Sequence, residues 1–484
     1  MRTYRLSLLV LILAVAGFVV GQGAKDRPDA VAAEATNPQA DAVEPDQATA
    51  AHYRSQGPQG LQELFETLDP LRARLDDARQ GSGTPEQIAA LETEVQRLEG
   101  LIDAVGGQRY CSISRLYWYT DWDQARKAAL ESRKPILSLR MLGNLTDELS
   151  CANSRFFRTT LYANAEISEY LREHFILHWQ SVRPVPKVTI DFGDGRKLVR
   201  TVTGNSAHYV LTCTGRVVDV VPGLYGTKAF LEKLQTAEAA ALQLAPVHPS
   251  SRQAALQAYH QQRLQVLDAS WRDDLQKAGL IDRAPGESTP SVPTATAAER
   301  GQAVKGPAAR NIPAAAPPAR AATEIATPKA FVEMPLVVAI TPPLPSPADV
   351  EDKIWEQIAA QHHPETVLDR QTYNLIAQEV PAARAAAQLA FSKRAVESPL
   401  LRMLAKLRAS IALDTVRNEY QLHRQIHQWF VDGTAPGDLE ALNERVYAEL
   451  FLTPSSDPWL GLMDKEVYTA LSNGGVVDYT ASQP

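Results

Sequence analysis

The fold class of this chain is decided by Pro135-Ile136-Leu137-Ser138-Leu139-Arg140-Met141-Leu142, an apolar run with the length of a buried strand. Residues 122–133 before it and 151–174 after it are predicted to be helical. A second short strand is predicted over 175–179. Strands that alternate with helices indicate a sheet that is covered by helices.

Two hairpin signals follow along the chain, and a closing helix is predicted to begin at Thr227. Together these elements predict an α/β domain over residues 107–245. The turn residues of each hairpin are rich in glycine, which is typical of tight connections between antiparallel strands. The strands around Gly193-Asp194-Gly195 are predicted over 188–192 and 197–202, and those around Thr214-Gly215 over 208–212 and 216–221.

The segment before this domain, residues 60–106, carries leucines and other apolar residues at helical spacing. Gly81-Ser82-Gly83 interrupts the pattern. Thr84 and Gln87 then have the spacing of a capping box, which marks a helix start. We predict a helical hairpin or short coiled coil, whose apolar stripe packs on itself or on a second copy of the chain.

The first residues have the layout of an export signal. Met1-Arg2-Thr3-Tyr4-Arg5 is basic, residues 6–20 are apolar, and small residues follow. We predict a signal peptide or an uncleaved signal anchor over 1–24, and a disordered linker over 25–59. The protein is then expected to be exported to the periplasm, the cell envelope or the medium. Any contact with a membrane is expected only through an uncleaved N-terminal segment.

The second half of the chain is predicted to be helical around a linker. Residues 246–282 form a helical extension, and 283–348 are rich in Ala and Pro, which is typical of a semi-extended linker. Residues 349–484 are predicted to form a separate all-α domain.

Composition excludes three classes of protein. The chain has 49 Lys and Arg against 56 Asp and Glu, so its formal net charge is −7. No basic excess is available to neutralise a nucleic-acid backbone. Three cysteines are too few for a disulfide-dense scaffold or a cysteine-rich zinc module.

Lys134-Pro135-Ile136-Leu137 at the head of a strand, followed by Cys151-Ala152-Asn153-Ser154 and a glycine-containing hairpin at 210–216, resembles the thioredoxin-like superfamily. The resemblance covers about a quarter of the 484 residues. It implies a central sheet flanked by helices. It also implies a redox site at the start of the helix after the first long strand.

Two departures from that family concern the site. Ser154 stands where the resemblance implies a second cysteine, and Ser206 lies near the position of a cis-proline that helps hold the substrate. The resemblance therefore implies Cys151 and Ser154 as catalytic residues, and Ser206 and His208 as substrate-binding residues. No cofactor and no metal is expected.

A cysteine at a helix start favours the thiolate because the helix dipole is positive there, and Arg155 and Arg158 would add to this effect. One hypothesis is therefore an exported thioredoxin-fold protein with single-thiol exchange or redox-linked binding of a thiol or peptide partner. The alternative is a catalytically inactive envelope adaptor or scaffold, in which Cys151 is only a packed residue and His208 is packed and hydrogen-bonded. Both hypotheses make proteins the expected partners.

Glu419, His423 and His427 are spaced by four and would share one helix face. With a ligand from another helix they could hold a metal ion. The sequence itself supplies no such ligand nearby, so a solvent-exposed face is the favoured interpretation.

Overall fold

The computed structural model describes residues 47–202, 204–281, 347, 350–379 and 393–460. The segment predicted as a signal peptide or anchor (1–24) lies outside these residues. So does the Ala/Pro-rich linker (283–348), apart from Pro347. In the part of the chain that is described, no helix is long and apolar enough to cross a membrane.

A five-stranded mixed sheet forms the centre of the fold, as the alternation of strands and helices predicts. The strand order is β1-β3-β2-β6-β7. Strands β1 and β2 each pair with β3 in parallel, whereas β6 pairs antiparallel with both β2 and β7. The five strands are β1 (Trp118–Tyr119), β2 (Ile136–Leu142), β3 (Ile176–Arg183), β6 (Ser206–Leu211) and β7 (Val217–Pro222).

A separate two-stranded ribbon is inserted between β3 and β6. Strands β4 (Lys187–Asp191) and β5 (Lys197–Thr201) pair antiparallel with each other. Gly193 and Gly195 have positive φ in the turn between them, which glycine adopts without strain. The first predicted hairpin is therefore present, but it does not extend the main sheet.

Helices precede, cover and follow the sheet, and several continue through a π-helical segment. Four such segments are present among the described residues: Ala78–Ser82, Phe157–Leu161, Asn418–His423 and Val446–Leu450. The α-helices are α1 (Gln47–Ser55), α2 (Pro58–Asp77), α3 (Pro85–Gly106), α4 (Cys111–Ser114), α5 (Trp122–Ser132), α6 (Ala152–Phe156), α7 (Ala165–His174), α8 (Thr227–Leu244), α9 (Pro249–Lys277), α10 (Asp352–Gln361), α11 (Arg370–Glu379), α12 (Lys393–Arg417), α13 (Arg424–Val431) and α14 (Leu439–Arg445).

Helices α2 and α3 lie where the hairpin was predicted. The side chain of Thr84 accepts from the N–H of Gln87, and the Gln87 side chain accepts from the N–H of Thr84, so the capping box is present. The apolar stripes of the two helices form a core of their own that includes Leu68 and Ile102.

The prediction of disorder over 25–59 is wrong for the end of that segment. Residues Gln47–Ser55 form helix α1. Arg54 holds this helix in place because its guanidinium donates to the carbonyl oxygens of Val105 and Trp118, at 2.7 and 2.8 Å. The residues that accept these hydrogen bonds are more than 50 positions away in the sequence, so the local composition around Arg54 could not predict that this helix is ordered.

The C-terminal helices do not form a separate domain, contrary to the sequence-based expectation. Ile426, Trp429 and Leu442 belong to the same buried core as sheet residues Leu139 and Val220. The apolar faces of these helices must be buried against another element, and they pack on the sheet and on α9. The sheet and the helices on both sides of the Ala/Pro-rich segment are therefore one folded unit.

Candidate functional site

Cys151 lies at the start of a helix, as predicted. It occupies the N-cap position of α6, and the N–H of Ser154 points at its sulfur with an N···S distance of 3.5 Å. The residue is nevertheless fully buried, with 0% of its surface exposed. None of the three cysteines, Cys111, Cys151 and Cys213, forms a disulfide.

The C-terminal part of the chain covers this end of the sheet. Asn205, which precedes β6, donates from its side chain to Thr453 Oγ1 at 2.9 Å and accepts at its carbonyl oxygen from Tyr447 at 3.2 Å. Arg183, at the end of β3, donates to the carbonyl oxygens of Thr453 and Asp457. The loop and π-helical turn over 446–457 therefore close the region in which a thiol substrate would have to bind.

Ser154 and Ser206 lie close to Cys151 but are also buried. Ser154 Oγ is 2.6 Å from Ser150 Oγ and 2.9 Å from the carbonyl oxygen of Cys151, so its hydroxyl bonds locally. Ser206 pairs with Met141 in the sheet, next to Leu142, whose carbonyl oxygen accepts from the Cys151 N–H. Both serines are 0% exposed and give a substrate no access.

His208 is buried, and its side chain is part of the core. Its Nε2 lies 2.6 Å from the Tyr162 hydroxyl, and its ring packs against Phe157 and Phe230. Burial lowers the pKa of His208 to about 3, so the imidazole is neutral. This arrangement matches the packed, hydrogen-bonded alternative and leaves the ring without a solvent-exposed role.

Arg155 and Arg158, which were expected to favour the thiolate, lie near enough to Cys151 to interact with it electrostatically, but their hydrogen bonds go to other groups. Arg155 donates to Thr201 at 2.9 Å, and Arg158 donates to the carbonyl oxygens of Leu145 and Asp147. Burial lowers the pKa of Arg158 to about 10. Arg158 thereby fixes the loop before α6, whereas Arg155 ties α6 to the end of β5.

A second polar cluster lies buried between β7, α8, α9 and the α12–α13 segment. It comprises two carboxylates, three imidazoles, a lysine and a tyrosine. The three imidazoles are at most 1% exposed, and Asp219 is 2% exposed. The members of this buried cluster are Asp219, Lys233, Tyr259, His260, Glu419, His423 and His427.

His423 links the two carboxylates of the buried cluster. Its Nε2 lies 3.0 Å from Asp219 Oδ1, and its Nδ1 lies 3.2 Å from Glu419 Oε2. Burial would lower the pKa of His423, but the two carboxylates hold it above its usual value. Lys233 forms an ion pair with Glu419 on the other side. The result is a chain of alternating charges.

His260 and His427 form the other half of the cluster and are neutral. Their Nδ1 atoms lie 2.8 Å apart, and His427 Nδ1 is 3.9 Å from Asp219 Oδ1. Burial lowers the pKa of His260 to about 4 and that of His427 well below its usual value. The Phe430 ring stacks on His260 with a centroid distance of 4.0 Å, which fixes the imidazole plane.

Comparison with protein-family models, curated proteins and solved structures finds no match to this chain. The chemistry of both sites is therefore inferred from the residues themselves.

The favoured interpretation of Glu419, His423 and His427 as a solvent-exposed face is wrong. They are 9%, 1% and 0% exposed. Their spacing does place them on one side of a helix, but this side packs on β7 and α9. Asp219 and His260 complete the cluster from positions more than 150 residues upstream. The spacing of four was the only sequence signal for this site.

A cavity of about 450 Å³ adjoins the cluster. Lys233 and Glu419 line it together with Arg263, His362 and Tyr420. Glu419 therefore belongs both to this cavity and to the buried cluster.

Proposed function

We propose that this chain is a non-catalytic protein-binding platform, exported as its N-terminal layout indicates. A thioredoxin-like sheet would serve as its rigid centre. The succession of helix, strand, helix, strand, hairpin and helix supports that assignment, since it is the order that the resemblance implies. Sealing of Cys151 beneath the C-terminal helices supports the absence of thiol chemistry, because an attacking thiolate needs access to its target disulfide.

The observation that carries the proposal is an exposed apolar face on the β4–β5 ribbon. Val188 and Ile190 alternate along β4, and Phe192 continues the alternation into the turn, so all three project from one face. They are 40%, 45% and 56% exposed. Leu198, which pairs with Ile190, adds to the same face.

A face of this kind is costly unless a partner covers it. Two-stranded ribbons are marginally stable alone, and exposed apolar patches on folded proteins mark interaction sites. The ribbon is held at its base by buried Thr201, which accepts from Arg155. It can therefore present a defined surface.

Charge complementarity defines the partner. Arg200 pairs with Val188, and the Arg196 guanidinium lies 5.7 Å from the centre of the Phe192 ring, where it also forms an ion pair with Asp194. Residues 187–201 carry four basic and two acidic side chains, a local net charge of +2, whereas the chain as a whole carries −7. We propose that the ribbon binds an extended segment of another protein that combines apolar and acidic side chains.

Selection from a displayed library of random peptides tests this function on the purified chain. We expect peptides rich in apolar and acidic residues, whose affinity falls about tenfold or more in the double variant Ile190→Ser/Phe192→Ser. Leu130→Ser, which removes an equally exposed apolar side chain from α5, is the matched control and should bind as the wild type does.

Three results would overturn the proposal. The first is a selection that enriches no such peptides, and the second is equal binding to the double variant. The third is self-association through the ribbon, seen by sedimentation and abolished by the same two substitutions, since a second copy would then be the occupant.

A further inference from the structure

We propose that Asp219, His260 and His427 form a binding site for a divalent transition-metal ion such as Zn²⁺. The three side chains come from β7, α9 and α13, which are distant in sequence, and each offers one donor atom. These donor atoms all lie within 4.8 Å of one another. Two imidazole nitrogens and one carboxylate oxygen are a donor set that suits zinc and its neighbours in the first transition row.

The distances fit a shared ion. Two ligands at about 2.0–2.1 Å from a tetrahedral zinc ion lie about 3.3 Å from each other. Two of the three separations fall on both sides of that value, at 2.8 Å between the two Nδ1 atoms and 3.9 Å between His427 Nδ1 and Asp219 Oδ1, and the third is within 4.8 Å. Small rotations of the side chains would equalise them.

The surroundings hold the donors in a form that can bind metal. Each imidazole offers its Nδ1 toward the other, at a separation of 2.8 Å. Asp219 is oriented by Tyr259, which donates to its Oδ2 at 2.6 Å, and by the Val220 N–H and His423 Nε2, which lie 2.8 and 3.0 Å from its Oδ1. Such hydrogen bonds from outside the ligand set are a usual feature of metal centres.

The competing interpretation is a hydrogen-bonded pair of imidazoles without an ion. In that arrangement one Nδ1 must carry a proton and donate to the other. His260 Nε2 and His427 Nε2 are both buried without a hydrogen-bond partner among the described residues, and this holds with or without an ion at the Nδ1 atoms. The two interpretations differ in one measurable property, which is retention of metal.

The test uses the untagged full chain, stripped with a chelator and then titrated with Zn²⁺. Bound metal per chain is measured by elemental analysis after desalting, and the melting temperature is followed with and without Zn²⁺. We expect one retained ion per chain and a higher melting temperature in its presence. His260→Gln and His427→Gln should weaken binding by about tenfold or more.

Two further variants keep the test decisive. His178→Gln alters another buried histidine, one that bonds to Ser138 in the sheet, and should retain metal as the wild type does. Asp219→Asn preserves side-chain size and should lose metal even if the histidine variants fail to fold. Failure of the folded wild type to retain Zn²⁺ or Co²⁺ would overturn the proposal. Retention by a folded Asp219→Asn or His427→Gln variant equal to that of the wild type would also overturn it.

Discussion

Tyr447 donates a hydrogen bond to the carbonyl oxygen of Asn205 across 3.2 Å, and so ties the last π-helical turn to the start of β6. The Tyr447 side chain is almost fully buried. The same contact places the C-terminal helices over the end of the sheet where Cys151 lies. The thiol is therefore enclosed by residues that are far apart in the chain.

Cys151 should not react with a thiol reagent while the protein is folded. Cys151 and Cys111 are fully buried, and only Cys213 is partly exposed. We expect Cys213 alone to react with a chromogenic disulfide reagent in native buffer, and all three thiols to react in denaturant. Mass spectrometry of the labelled peptides identifies each site. Rapid native labelling of Cys151 would contradict the enclosed site.

The sheet and the C-terminal helices should unfold together. Leu442 is fully buried in the core that they share. Leu442→Ala should lower the free energy of unfolding by about 2–5 kcal/mol and shift a single transition, because it leaves a cavity in that core. The control Leu401→Ala removes a half-exposed side chain and should change stability by less than about 0.5 kcal/mol. Urea unfolding followed by far-UV circular dichroism measures both. Two separate transitions, of which only one moves, would indicate an independent helical domain.

Stability should decrease in alkaline solution because of His362. Burial would lower the pKa of this imidazole, but hydrogen bonds to Asp274 and Glu365 raise it to about 9 from 6.5. Since the pKa is higher in the folded state, the stabilisation is fully present below pH 6.5 and is lost as the pH rises through about 9. The loss should be up to about 3 kcal/mol.

The difference between the wild type and His362→Gln isolates this effect from other titrating groups. Unfolding free energies measured across the same pH range should differ most on the acidic side and converge on the alkaline side. A constant difference would show that the charge of His362 does not contribute.

Gly106 should tolerate no side chain. A methyl group at this position would overlap the sulfur of Cys111 and crowd the carbonyl oxygen of Leu116. Gly106→Ala should therefore lower the free energy of unfolding by about 1–3 kcal/mol. Cys111→Ala should partly compensate it, because the sulfur is then absent. Thermal melting of the two single variants and the double variant measures the coupling, and strict additivity would refute the overlap.

Local sequence patterns predicted the local features of this fold. The apolar run over 136–142 is β2, Thr84 and Gln87 form their capping box, and Gly193 and Gly195 turn a hairpin. Each of these depends on residues that are close in the chain. The position of Cys151 at a helix start was predictable for the same reason.

Burial and long-range partners were not predictable in this way. Whether Cys151 is open or sealed depends on Tyr447 and Thr453, some 300 residues later. Nothing in the local sequence distinguishes Asp219 from the other residues of its strand. Only the packing of α9 and α13 on β7 shows that it lies beside His260 and His427. Periodicity reports which residues share a face, but it does not report what covers that face.

The most direct test of the platform compares peptide binding in three chains: the wild type, Cys151→Ala and Ile190→Ser/Phe192→Ser. A peptide selected on the wild type is titrated against each by calorimetry. We expect unchanged affinity in Cys151→Ala and a loss of about tenfold or more in the double variant. Loss of binding in Cys151→Ala, with the double variant unaffected, would contradict the proposed platform, because binding would then depend on the thiol and not on the ribbon.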